Sequence, residues 1–167
     1  EKLAIVPEKI KDADLISITD LSGDWKKVLD KIVRAGTENN IKIAFNPRGI
    51  NIKEDSKKVS EIAGKSEIFF VNKDEAIELV SNLAIKTNGN ETDLIKKIKK
   101  FGSEIVAITD GENGAWGCDS ENVIYARALP EKAVDSTGAG DAFASGFLAA
   151  FTKEKDLGEC LKWGIAN

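Results

Sequence analysis

A three-layer α/β/α fold around a mostly parallel central sheet is what this sequence predicts, and three observations predict it. Short β-prone runs alternate with stretches of helical spacing, the pattern of parallel strands joined by crossover helices. One run, Ile68-Phe69-Phe70-Val71, is apolar throughout, as expected of a strand covered on both faces. Polar and glycine-rich residues gather where strands should end, which is where open α/β sheets collect ligands.

The elements follow in order. The first dozen residues, with Pro7, read as the tail of a preceding segment. Leu15 to Thr19 is a short strand, and Ser22-Gly23-Asp24 is a helix start after it. Trp25, Val28, Leu29, Ile32 and Val33 fall on one stripe, predicting a helix from Trp25 to Thr37. Ile41 to Phe45 is a second strand, stopped by Asn46-Pro47, with a loop to about Lys53 and a short helix over Ser56 to Ala63. The third strand leads into Asn72-Lys73-Asp74-Glu75 and a helix to about Leu83. Asn90-Glu91-Thr92-Asp93 starts another helix, whose apolar stripe is Leu94, Ile95, Ile98 and Phe101. Ile105 to Ile108 is a fourth strand. Residues Ala115 to Cys118 and Val123 to Ala126 flank a polar turn and read as a hairpin. A helix over about Asp141 to Thr152 and a last one from Leu157 complete the chain. No linker or internal repeat divides residues 1–167, so one partial domain is expected.

Composition narrows the function. The net charge is −4 with signs mixed, which speaks against a nucleic-acid-binding surface, and Lys96 to Lys100 read as the solvated side of a helix. No run of 18 apolar residues is present, so no membrane span is expected. Cys118 and Cys160 stand apart and suggest free thiols in a reducing, cytoplasmic setting. Histidine is absent, which removes Ser-His-Asp and Cys-His catalytic units and His-ligated metals from this chain. Methionine is absent too, and residues 161–167 look like a helix cut mid-run; both suggest a piece of a longer protein. Trp25, Trp116 and Trp163 read as packing residues rather than sugar-stacking platforms.

The chemistry-bearing stretch is Val134 to Phe147, V-D-S-T-G-A-G-D-A-F-A-S-G-F. A helix starting at Gly140 or Asp141 leaves backbone N–H groups without helical partners, at the positive end of the helix dipole. Gly138, Ala139 and Gly140 offer little side chain to block an anion there, and phosphate is the usual occupant. Asp141 opposes simple anion binding but suits a base that takes a proton from a hydroxyl attacking that phosphate. A Gly-rich helix start with an N-terminal charge would also account for it. A dinucleotide fingerprint fails because Phe143 occupies the place of its third glycine, and no P-loop G-K-[ST] occurs.

Other strand exits add candidates. Asn72 with Glu75 is a variant capping box, or a carboxylate for magnesium, which prefers oxygen ligands and keeps much of its water. Thr109-x-Gly111-x-x-Gly114 is a tight turn, or bare backbone for a nucleotide's phosphates and ribose. Asp135 and Thr137 are turn formers, or oxygens for a monovalent cation.

Taken together, D-S-T-G-A-G-D-A-F-A-S-G-F resembles the C-terminal signature of the PfkB/ribokinase family of carbohydrate and nucleoside kinases. N-K-D-E is similar to that family's N-x-x-E motif, and T-D-G-E-N-G to its T-x-G-x-x-G segment. The resemblance covers nearly the whole chain but only the later half of a family member. It implies a ribokinase-like fold truncated at its N-terminus, ATP and magnesium, and a small-molecule sugar or nucleoside acceptor. Asp141 would be the base; Gly138, Ala139 and Gly140 the anion hole; Asn72 and Glu75 the holders of magnesium and phosphates. Thr109, Gly111 and Gly114 would line the ATP site, and Asp135 and Thr137 would join a potassium-type site. The family also leaves room for a homodimer of the full-length protein. By the resemblance, the front half, which in the family carries most sugar-binding residues and a β-sheet lid, is expected to lie outside this chain, and the tail that helps close the adenine pocket and cation site to be missing or cut at Asn167. An ATP-dependent sugar or polyol kinase is therefore the expected activity. A nucleoside kinase is its nearest rival, and a catalytically silent nucleotide-binding protein of the same fold a second. A dinucleotide-dependent oxidoreductase is disfavoured by Phe143.

Overall fold

Every strand of the sheet pairs with the next one in the chain. The computed structural model describes residues 10, 12–19, 21, 23–120, 122–130 and 137–167. Within them, β1 (Leu15–Thr19), β2 (Lys42–Asn46), β3 (Ile68–Asn72) and β4 (Ile105–Thr109) run parallel. The hairpin strands β5 (Ala115–Cys118) and β6 (Val123–Ala126) continue the sheet antiparallel, in the order β1-β2-β3-β4-β5-β6.

That order explains the layers. Right-handed crossovers that always step the same way leave their helices on one face. Helices α1 (Trp25–Glu38), α2 (Gly49–Ala63), α3 (Lys73–Asn82) and α4 (Glu91–Lys99) indeed share a core with Ile43, Phe45, Phe69, Val71, Val106 and Ile108. The alternate residues of the same strands, Ala44, Ile68, Phe70 and Ala107, point the other way. They are covered by α5 (Ala139–Phe151) and α6 (Leu157–Ala166). The three-layer α/β/α arrangement expected from the sequence is the one observed.

Local signals account for most boundaries. Asn90 caps α4 by accepting from the Asp93 N–H at 2.8 Å, and Asp156 caps α6 by accepting from Glu159 N at 2.8 Å. The α4 stripe of Leu94, Ile95 and Ile98 is fully buried. Ser22 lies outside the described residues, and Asp24 occupies the cap of α1 with its side chain accepting from Lys27 Nζ at 2.7 Å rather than from a backbone N–H of the helix.

Two expectations are corrected. Residues 49–53 are not a loop: they form the first turns of α2, which breaks at Asp55 (φ −158°, ψ 79°) before resuming. The buried Asn51 holds that turn, its Oδ1 accepting from Arg48 N at 3.0 Å and its Nδ2 donating to Leu21 O at 3.1 Å. At the break Glu54 accepts from Trp25 Nε1 at 2.8 Å and Asp55 meets Lys26 Nζ at 2.8 Å. Helix α5 also begins earlier than predicted, at Ala139. The tryptophans divide: Trp25 is 2% exposed, whereas Trp163 is 37% exposed. Both cysteines are free and buried, and burial pushes the Cys160 thiol up to about 11. Among the described residues no helix is long and apolar enough to cross a membrane.

Candidate active site

Helix α5 is aimed by its aromatic residues. Phe143 and Phe147 lie one turn apart and both meet Phe70 of β3 edge-on, with centroids at 6.3 and 5.2 Å. The contact seats the start of α5 beside the carboxyl end of the sheet. Gly138 makes the entry in a left-handed conformation (φ 79°, ψ 0°) that only glycine adopts freely. The first helical bond runs from Ala142 N to Gly138 O at 2.9 Å, so the N–H groups of Ala139, Gly140 and Asp141 have no acceptor within the helix. A side chain added at Gly138 or Gly140 would meet nothing within 4 Å. The turn is open to a ligand. Asp141, exposed in the first turn, stands at its edge.

Across from it the start of α3 is locked by a capping box. Asn72 Oδ1 accepts from Glu75 N at 2.8 Å and Glu75 Oε2 accepts from Asn72 N at 2.9 Å. The Glu75 carboxylate also accepts from the Gly49 N–H at the start of α2. Burial raises its pKa above the ordinary 4.5, outweighing the two N–H donors, and Glu78 and Asp74 push the same way. One half-buried carboxylate thus ties two helix starts together and faces the same hollow as Asp141.

That hollow is a cavity of about 350 Å³. The structure brings Asn72, Glu75, Thr109, Gly138, Gly140 and Asp141 together around it. Asn46 joins them from the exit of β2, and the β3–β4 register that pairs Asn72 with Thr109 explains why two strand exits meet there. Other candidates are placed elsewhere. Ala139 does not line the cavity; Thr137 stands exposed just before Gly138; Asp135 lies outside the described residues. Gly111 and Gly114 are off the cavity as well. Gly114 has a packing reason of its own: at φ 95° and ψ −148°, an added Cβ would sit 2.3 Å from Ala126 O. One residue escaped sequence reasoning. Arg48 lines the cavity directly after Asn46-Pro47. The strand exit that precedes it was the available signal.

The polar groups around this cavity are two carboxylates, Asp141 and Glu75, with bare helix-start amides and amide side chains. The profile of the pfkB family carbohydrate kinases matches residues 2–166. The chain belongs to this family. Among its relatives, the cytidine kinase of Thermococcus kodakarensis is 30% identical over 96% of this chain and 55% of its own length. The 5-dehydro-2-deoxygluconokinase of Halalkalibacterium halodurans is 25% identical over 99% of the chain and 53% of its own length. The chain spans about half the length of these pfkB relatives. Solved structures repeat the fold: adenosine kinase of Sinorhizobium meliloti superposes with a TM-score of 0.82 at 21% identity, covering 96% of this chain and 49% of that one. A putative ribokinase II from E. coli in complex with ATP and Mg²⁺ gives 0.80 at 20% identity, covering 97% and 53%.

Proposed function

We propose that this chain carries the phosphoryl-transfer half of an ATP-dependent kinase acting on a hydroxyl of a sugar or related small polyol. The observation that carries the reading is the placement of Asp141 and the open Gly138–Gly140 turn opposite Asn72 and Glu75 on one cavity. In this reading Asp141 accepts the proton as the acceptor oxygen bonds to the γ-phosphorus and the bond from that phosphorus to the β–γ bridging oxygen breaks, leaving ADP. The amides of the α5 start stabilise charge on the transferring group without reorganising, which suits a reaction that depends mostly on positioning.

The residues present fit magnesium. Glu75 is an oxygen donor with a fixed orientation, and Asn46 and Asn72 stand beside it, a set that suits a hard cation keeping most of its water. Glu75 would hold the ion directly or through water, and the ion would offset the charge of the phosphates. For a monovalent cation the described contribution is Thr137 alone.

A nucleoside acceptor is the second reading, favoured by the 30% identity with a cytidine kinase over nearly the whole chain. Steady-state assays of the full-length gene product with ATP against a panel of sugars and nucleosides decide between them. Asp141→Asn should lower kcat by about 10²-fold or more while ATP affinity and melting temperature stay near wild type. Unchanged turnover in that variant would overturn the base assignment, whereas a wild-type protein that binds ATP but phosphorylates no acceptor on the panel would favour a protein that only binds nucleotide.

A further inference from the structure

The turn after β4 and the start of α3 are joined by a cation that the mechanism above does not use. Lys73 Nζ donates to Asp110 Oδ2 at 2.9 Å and to Glu91 Oε1 at 2.6 Å. The three side chains are partly exposed, at 30%, 19% and 22% for Lys73, Asp110 and Glu91. Asp110 is also the hub of its own turn. Its N–H donates to Gly114 O at 2.9 Å, its carbonyl accepts from Asn113 N at 2.8 Å, and its carboxylate accepts from Asn113 Nδ2 at 3.2 Å. One ammonium therefore spans the start of α3, the start of α4 and the β4–β5 turn.

We propose that Lys73 is a positioning residue of the nucleotide site: it pins the Asp110–Gly114 turn beside the Asn72–Glu75 helix start and cancels carboxylate charge that would repel an incoming polyphosphate. The inference rests on the kinase reading. Neither Lys73 nor Asp110 lines the cavity, so the pair does not touch the reacting atoms. Partly exposed ion pairs add little to folding stability, so fold maintenance is a poor account of a cation bonded to two carboxylates. What the pair controls is register. Asn72 and Thr109 are cross-strand partners on the cavity wall, and Lys73 and Asp110 are the residues that follow each of them. Both exits are fixed relative to one another just beyond the sheet, where backbone pairing ends. Without Lys73, Asp110 and Glu91 would be left as unpaired like charges at the edge of a site that must accept several phosphate charges.

The test uses the full-length protein, ATP with magnesium in a calorimeter, and steady-state kinetics. Lys73→Met should weaken ATP binding by about tenfold, with kcat and the acceptor KM within about twofold of wild type, and Lys73→Arg should restore most of the loss. Asp110→Ala should weaken ATP to a similar degree, and Lys73→Met with Asp110→Ala should be no worse than either alone, since both remove one clamp. Asp110→Ala carries the test if Lys73→Met does not fold. Wild-type ATP affinity in both single variants, additive losses in the double, or a loss confined to kcat would each overturn the inference. A wild-type protein that binds no ATP would instead overturn the kinase reading and this inference with it.

Discussion

Glu75 shows at the scale of one residue how site and stability oppose each other. Its carboxylate serves two helix starts and faces the cavity, yet burial makes its ionised form unfavourable. A folded-state pKa above the unfolded value means the native protein holds this proton more tightly than the unfolded chain does. The stability contributed by that proton is fully present below the ordinary value of 4.5 and is lost as pH rises through the raised value. Glu75→Gln cannot ionise. Whatever fixed cost the variant incurs from altered hydrogen bonding, thermal melts should shift in its favour relative to wild type between pH 4 and pH 7. A gap that stays constant, or moves the other way, would show that the ionised group is not strained. The same variant should lose phosphoryl transfer, since a neutral amide is a poorer magnesium ligand.

At the scale of elements, two glycines that the family resemblance assigns to the anion hole (Gly138) and the ATP site (Gly114) answer to different causes. Gly138 has a left-handed backbone but open space around it, so Gly138→Ala should cost only the conformational penalty, roughly 1–2 kcal/mol. That corresponds to a fall in melting temperature of about 2–4 °C per kcal/mol for a chain of this size. Gly114 has a backbone almost restricted to glycine and a carbonyl oxygen 2.3 Å from where a Cβ would sit. Gly114→Ala should therefore destabilise far more than Gly138→Ala, a ranking that paired thermal melts would check. The contrast marks what could be read beforehand. Asp141, Glu75, Asn72 and Thr109 were legible because each sits where a strand ends or a helix begins, positions that periodicity locates. The packing role of Gly114 was not legible, because the partner is Ala126 in β6 and only the closed hairpin brings them together. Arg48 looked like any loop residue. The first turns of α2 were hidden because Gly49 to Asn51 is poor helix material, and its support comes from Leu21, 30 residues away.

For the whole molecule, the sequential strand order puts four helices on one face and leaves α5 and α6 to cover the other, so the site lies on the seam between the layers. This makes the two cores unequal. The α1–α4 core supports the fold, whereas the α5–α6 core also aims the helix that carries Asp141. Phe147 is fully buried and packed on Phe70, and Leu29 of α1 is 1% exposed in the opposite core. Truncation should cost about 3–5 kcal/mol for Phe147→Ala and about 2–5 for Leu29→Ala, large against the roughly 5–15 kcal/mol that holds a typical domain. Both variants should melt well below wild type. Their effect on chemistry should differ. Removing Phe147 leaves the start of α5 to settle elsewhere on β3, moving Asp141 and the open amides away from Glu75, and shifts of about 1 Å are enough to cost roughly 10²-fold in rate. Leu29 belongs to the other core, on the face of the sheet away from Phe143 and Phe147. Measured at a temperature where both remain folded, kcat should therefore collapse for Phe147→Ala and hold for Leu29→Ala. Equal losses would mean that the seam does not separate the two roles, and that rigidity of the entire sheet, rather than the seat of one helix, sets the geometry of transfer.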